Sequence, residues 1–278
     1  LWNLMAGYAG LVSVGQQAYV GFGGYMLFAL TIFAGFPPVV AIVGAGALGA
    51  LVSVPVALLI FRLRGAYFAI GTWVIAEVFR LSFAQVSALG GGSGSSLPVK
   101  IVRSMADGRS EREALSYWLA LGIAFCVIAA VYMFLRSRQG LALTAIRDNE
   151  LAASSLGIDI WRTKFVVYVV ASALTAMVGA LIFLQKLRIS PDAAFSVNDW
   201  TAFVIFIVVI GGIGTIEGPI IGTLIFFALR ETLADLGTVY LMVLGVVAIL
   251  IMLRAPKGLW GLVRARFDLD LFPLGYRV

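Results

Sequence analysis

The sequence predicts an all-α, polytopic membrane protein of about eight transmembrane helices, with glycine-broken spans and one coupling helix held outside the membrane. Three observations predict it. Hydrophobic residues make up 62% of the 278 and charged residues 12%, against about 45–50% and about 25% in soluble domains. Apolar blocks lie near 4–33, 38–61, 65–88, 115–135, 164–187, 199–214, 216–236 and 237–253, most of them close to the roughly 20 residues a helix needs to cross hydrocarbon. Strict apolar/polar alternation is missing, which argues against a transmembrane barrel. The expected organisation is one transmembrane domain over 1–261, with a cytoplasmic tail at 262–278.

The first block contains GYAGLVSVGQQAYVGFGGY, in which Gly7, Gly10, Gly15, Gly21, Gly23 and Gly24 accompany Ser13, Gln16 and Gln17. Glycine at this density fits either close helix packing of the small-xxx-small kind or a break facing a polar cavity. The paired glutamines favour the cavity. The second block reads as scaffold, with Gly44, Gly46 and Gly49 for close approach and Pro55 as a kink. The third, GAYFAIGTWVIAEVFRLSF, places Glu77 and Arg80 three residues apart on one face, so that they form a structural ion pair or mark the outer mouth of a pathway.

Residues 89–114 begin LGGGSGSSLP and end with Asp107, Arg109, Glu111, Arg112 and Glu113. This loop is either a docking surface for a soluble partner or a solvated connector. A clean span at 115–135 leads to RSRQGLALTAIRDNELAASSLGIDIWRTK at 136–164, the one polar island between apolar blocks. Asp148 is the expected cap of a helix of about two turns with Asn149 and Glu150 in its first turn, and Gly157 is its expected stop. That helix reads as a handle by which something outside the membrane moves the rest.

Beyond the island, 164–187 crosses back and ends at LRISPDAAFSVNDW, with Pro191 as breaker and Asp192 and Asp199 as candidate caps. The following VIGGIGTIEGPIIG is a glycine-rich turn between apolar segments and lacks the lysine of a phosphate-binding loop. APKGLWGLVRARF closes the transmembrane part, with Pro256 breaking the helix and Trp260 as an interface anchor. The glycine-broken blocks near 7–24 and 211–222 occur once in each half, a pattern that points to a central transport site.

The chain contains no His, which excludes the HExxH zinc site, His-based triads and His proton relays. The single Cys126 excludes an internal disulfide. A net charge of +6 reports membrane orientation, and no nucleic-acid partner is expected. With the island inside, twelve basic residues, Lys257 and Arg277 among them, face the cytoplasm and eight face out. Leu1 lies in an apolar block with no initiator Met and no visible signal peptide, which leaves open that residues precede it.

The ordered set GYAGLVSVGQQAYVGFGGY, RGAYFAIGTWVIAEVFR, GLALTAIRDNELAASSLGIDIWRTK, ISPD, VIGGIGTIEGPIIG and APKGLWG resembles the LivM-type permease subunit of bacterial branched-chain amino acid ABC importers, from about residue 7 to about residue 261. The resemblance implies a bacterial inner-membrane importer with a LivH-type second permease, two ATP-binding subunits and a periplasmic substrate-binding protein. ATP and Mg would sit on the partner ATPases, with no cofactor in this chain. Carried over by position, the coupling segment falls on Arg147, Asp148, Asn149, Glu150, Ala152, Ala153, Leu156 and Gly157. The pathway-facing block falls on Gly10, Ser13, Gly15, Gln16, Gln17, Tyr19, Gly21 and Tyr25, to which Glu77 and Glu217 are added as the ionisable groups of the apolar blocks. Where members commonly carry a GHAAF-like run, this chain has GQQAY.

The expected function is passage of branched-chain or other small amino acids from periplasm to cytoplasm by alternating access, with no catalytic or metal site of its own. Relatives of the family also move urea, short amides and aromatic or alicyclic acids. A stand-alone secondary transporter would need carboxylates deep in the bundle, and a membrane-embedded enzyme would need a nucleophile beside a base.

Overall fold

The computed structural model describes residues 1–103, 105, 108–233, 239–255, 258–267 and 272. Asp107, Pro256, Lys257, Arg277 and most of the expected tail lie outside the described residues. A π-helical segment, Leu4–Tyr8, lies at the start of the chain, and past the helical Ala9 it is followed by irregular backbone at 10–16. Then come α1 (Gln17–Ile32), α2 (Pro38–Ile60), α3 (Ala66–Ala84), the short α4 (Val99–Arg103) and the long α5 (Arg109–Leu135). The island forms α6 (Arg138–Asp148) and α7 (Glu150–Ser155), and α8 (Ile160–Lys186) returns through the bundle. The last part is α9 (Pro191–Ala194), a second π-helical segment Val197–Ala202, α10 (Phe203–Gly211), α11 (Glu217–Leu233), α12 (Val239–Arg254) and α13 (Gly258–Phe267).

The core is the triangle of α1, α2 and α8. Twelve of the sixteen residues of α1 are buried, so it is surrounded by protein rather than lipid. Small residues make this possible: Gly46 and Gly49 of α2 lie against Met177 and Ala176 of α8. Pro38 opens α2 at a position where its missing N–H costs nothing, and Pro55 lies within the continuous helix. α5 is the opposite case, with only Ser116 and Leu135 buried along 27 residues. A two-residue ladder, β1 (Ser95–Ser96) with β2 (Arg188–Ile189), ties the long loop to the end of α8.

Among the described residues, five segments are long and apolar enough to span a membrane, and six if the bent pair Met242–Arg254 and Gly258–Phe267 is one span. The all-α polytopic fold is as expected; the count of about eight is not reached. The first block divides at 10–16 and leaves α1 with only 16 residues, below the usual 17–25. The block at 199–214 yields a nine-residue α10, which crosses only as part of Pro191–Gly211. Trp260, expected at the interface, is instead buried at 5% exposure. Helix α13 packs on α10 and α11, with Gly258 against Gly211 and Gly212, and it runs through the boundary placed after residue 261.

Candidate functional site: a capped surface helix and a polar break beneath it

The island folds as two helices with separate caps. Ser137 opens α6, its hydroxyl accepting the Gly140 N–H at 3.4 Å. Asn149 opens α7, its Oδ1 accepting the Ala152 N–H at 3.1 Å. Asp148 is therefore not the cap, as expected from sequence, but the last residue of α6, and its carboxylate accepts from Arg147 at 2.9 Å. The choice follows from backbone: Asn149 has the extended conformation of a cap residue, which breaks the helix between 148 and 150.

Gly157 stops α7 as expected. It has φ +81°, and the Gly157 and Ile158 N–H groups donate back to Ser154 (3.0 Å) and Ala153 (3.2 Å), the paired bonds of a Schellman ending. Ala153 faces inward at 1% exposure, Ala152 faces out, and Glu150 pairs with Lys164 at the start of α8. Leu151 and Leu156 are left 82% and 79% exposed. Arg147 turns the other way, its Nη1 donating to the Gly7 carbonyl at 3.1 Å.

Beside this module is a cavity of about 610 Å³ between residues 10–12, the α2–α3 turn and the start of α8, with Arg64, Glu150, Trp161 and Lys164 in its wall. The island thus lies next to the break at 10–16. Irregular backbone at membrane depth needs partners from surrounding side chains. Trp2 Nε1 donates to the Ser13 carbonyl at 2.7 Å, Thr72 Oγ1 accepts the Val14 N–H at 3.0 Å, and Ser13 Oγ accepts the Gly15 N–H at 3.2 Å.

Gln16 and Gln17 follow at the start of α1, both buried. The Gln17 N–H donates to Thr201 Oγ1 at 3.2 Å, and the Thr201 hydroxyl donates to Gln17 Oε1. Gln16 Nε2 donates to Met5 Sδ at 3.6 Å. Gln16 Oε1 and Gln17 Nε2 have no hydrogen-bond partner among the described residues, so an acceptor and a donor stand unused next to one another in the sequence. Tyr19 closes the group, its hydroxyl 2.8 Å from that of Tyr168 on α8.

Ser13, Gln16, Gln17 and Tyr19 follow one another along the break and the first turn of α1, whereas the other expected pathway residues lie apart from them. Tyr25 lies two turns further on, its ring 4.5 Å from Phe83 and 6.0 Å from Phe195. Glu77 is half exposed on α3 and bound to Arg80 at 2.6 Å, and Arg80 also reaches Asp192 at 2.7 Å. Asp192 is therefore an ion-pair partner, and it is Ser196, not Asp199, that caps its segment, by accepting the Asp199 N–H at 3.2 Å. Glu217 is buried at the start of α11 and accepts the Phe272 N–H at 2.9 Å. Sequence reasoning missed Asn3, Thr72, Tyr168, Thr201 and Leu151. Each is an ordinary residue in an apolar stretch or on a short helix, and only its distant partner or its exposure distinguishes it.

Residues 2–253 match the family described as branched-chain amino acid transport system / permease component. The chain is 27% identical to the high-affinity branched-chain amino acid transport system permease protein LivM of Salmonella typhimurium, over 96% of this chain and 68% of that protein. It is 26% identical to the same-named protein of Escherichia coli over the same shares. The high-affinity branched-chain amino acid transport system permease protein LivH of Escherichia coli is 33% identical over 50% of this chain and 45% of its own length. No solved structure matches. With nine-tenths of its length inside the family's match, this chain belongs to the permease component family of branched-chain amino acid transport systems.

Proposed function

We propose that the chain is the transmembrane permease subunit of an ATP-driven importer of the bacterial inner membrane, moving branched-chain or other small amino acids inward by alternating access. Its partners in this reading are a LivH-type second permease, two ATP-binding subunits that carry ATP and Mg, and a periplasmic binding protein. The observation that carries the reading is α7, a capped helix with Leu151 and Leu156 bared on a polar segment outside the apolar spans. Exposed leucines there have no lipid to cover them, and their burial by a partner is favourable at about 25 cal/mol per Å². Fixed by Asn149, Gly157 and the Glu150–Lys164 pair, α7 is rigid enough to receive a push and pass it to α6 and α8.

The solute path in this reading runs past the break at 10–16 and the start of α1, where Gln16 and Gln17 hold hydrogen-bonding groups without a partner among the described residues. A second substrate reading has its own support. Gln16 Oε1 and Gln17 Nε2, an acceptor and a donor without a partner among the described residues, suit urea or a short amide as well as they suit an amino acid.

Reconstitution of the whole assembly in proteoliposomes tests both readings. ATP-dependent uptake of leucine over urea and acetamide is the expected result. The reverse preference selects the amide reading. Uptake by this chain alone, driven by an ion gradient, would sink the importer reading.

A further inference from the structure

Three segments far apart in sequence meet beside the island on contacts that the proposed coupling leaves unused. Asn3, only 6% exposed, accepts the Gly214 N–H at Oδ1 (2.8 Å) and donates from Nδ2 to the Thr215 carbonyl (2.6 Å). Gly7, one turn on, lies so close to Gly214 that no β-carbon fits between them. Arg147, in the last turn of α6, completes the meeting by donating to the Gly7 carbonyl at 3.1 Å. Gly214 has φ +78°, a conformation natural to glycine.

The chemistry of this point is specific. The turn at 212–216 lies outside any helical ladder, and an unpaired backbone group removed from water costs several kcal/mol. A carboxamide satisfies one N–H and one carbonyl of that turn together; a carboxylate could only accept.

The position of the point is more telling than its strength. Gly7 leads into the break that carries Ser13, Gln16 and Gln17. The turn at 212–216 ends α10, and the opposite end of α10 adjoins Thr201, the partner of Gln17. Arg147 is separated from α7 only by Asp148 and the cap residue Asn149. A displacement of α6 and α7 therefore reaches both sides of the Gln17–Thr201 contact, one through the N-terminal segment and one through α10.

We propose that Asn3 and Arg147 are positioning residues of the transport cycle, forming a clasp that passes motion of the surface helices to both halves of the polar break at once. The inference rests on the importer reading above. It gives Arg147 an inward task in place of the ATPase contact expected from sequence. It also accounts for glycine at both 7 and 214, since a side chain at position 7 would hold the two segments apart.

The test uses full-length chain in its reconstituted assembly and reads solute taken up per ATP hydrolysed. Asn3→Ala and Arg147→Met lower that ratio roughly five- to tenfold, with hydrolysis rate and subunit stoichiometry unchanged. Arg147→Lys recovers most of the loss. Asn3→Asp, which retains the Gly214 contact, shows the same uncoupling if the alanine variant does not assemble. Because both residues act on one element, the double variant loses no more than the worse single. An unchanged ratio in the assembled Asn3 variant, parallel loss of hydrolysis and uptake, or additive losses in the double variant each overturn the clasp. Absence of ATP-driven uptake in the unmodified assembly overturns the importer reading, and the clasp with it.

Discussion

The α-carbon of Gly23 faces the main-chain carbonyl of Ala176 so closely that a β-carbon has no room between α1 and α8. Gly179 of α8 meets the backbone at Val20 of α1 in the same way. The two central helices are thus in backbone contact at two levels, the close approach that small residues permit between membrane helices. These glycines are packing positions, while of the same stretch it is residues 10–12 that line the cavity.

Gly23→Ala and Gly179→Ala each destabilise by about 1–3 kcal/mol or more, because the atom they meet is backbone and cannot swing aside. Gly122→Ala in α5, where no described residue lies within 4 Å of an added β-carbon, leaves stability unchanged to within about 1 kcal/mol. Thermal unfolding in detergent separates the two classes. Equal melting temperatures for Gly23→Ala and Gly122→Ala would show that α1 and α8 are not in contact.

Thr201→Val removes the hydroxyl bonded to both the Gln17 N–H and Gln17 Oε1. It leaves buried groups unpaired, at a cost of about 1–3 kcal/mol. Adding Gln17→Leu removes the orphaned side-chain acceptor and recovers part of that stability. It does not recover transport, because the hydrogen-bonding surface at the break is lost with it. Melting temperature and uptake kinetics measured on the three variants decide the matter. Wild-type kinetics in the double variant would reduce Gln17 to a packing residue.

Hydrophobicity made the polytopic helical fold legible, and the polar island stood out by contrast with what surrounds it. The stop at Gly157 was readable because a left-handed C-terminal residue strongly favours glycine. The cap was not, since Asp148, Asn149 and Glu150 all suit a helix start, and only the extended backbone at Asn149 decides among them. Among the described residues five or six segments are long enough to span, because glycine and short length end helices inside continuous apolar blocks, breaks that hydropathy does not register. Asn3, Thr72 and Thr201 were invisible for a related reason. Their partners lie 58 to 212 positions away, and local sequence carries no trace of them.

Leu151→Glu and Leu156→Asp place charge on the exposed apolar face of α7 and leave Asn149, Gly157 and the buried Ala153 unchanged. Both variants insert and fold like the wild type, while recovery of ATPase subunits in pull-downs falls at least tenfold, about 1.4 kcal/mol or more. Asn149→Ala acts differently. It loosens the helix by about 1 kcal/mol and lowers coupled hydrolysis only in part. Glu150→Lys with Asp148→Lys abolishes uptake, since it sets a second positive charge beside Lys164 and another beside Arg147. Undiminished ATPase recovery with Leu151→Glu would mean that α7 is not the contact.

Arg80 joins α3 to α9 through Asp192, 112 residues away, while also holding Glu77 one turn back. All three side chains are partly exposed, at 30% for Arg80, 81% for Asp192 and 47% for Glu77, so the cluster adds at most about 1 kcal/mol and is screened by salt. Its place matters more than its strength, because α9 is followed directly by Phe195, whose ring stacks on Tyr25. Arg80→Gln therefore lowers stability by no more than about 1 kcal/mol and frees α9 to shift. Exchanging the charges, Arg80→Glu with Asp192→Arg, restores the tie but sets the introduced carboxylate against Glu77, so full recovery requires Glu77→Gln as well. The comparison separates a structural tie from a place on the solute path. Recovery of uptake in the triple variant marks a tie, whereas loss of uptake in Arg80→Gln that no compensating charge repairs places the guanidinium in contact with the solute.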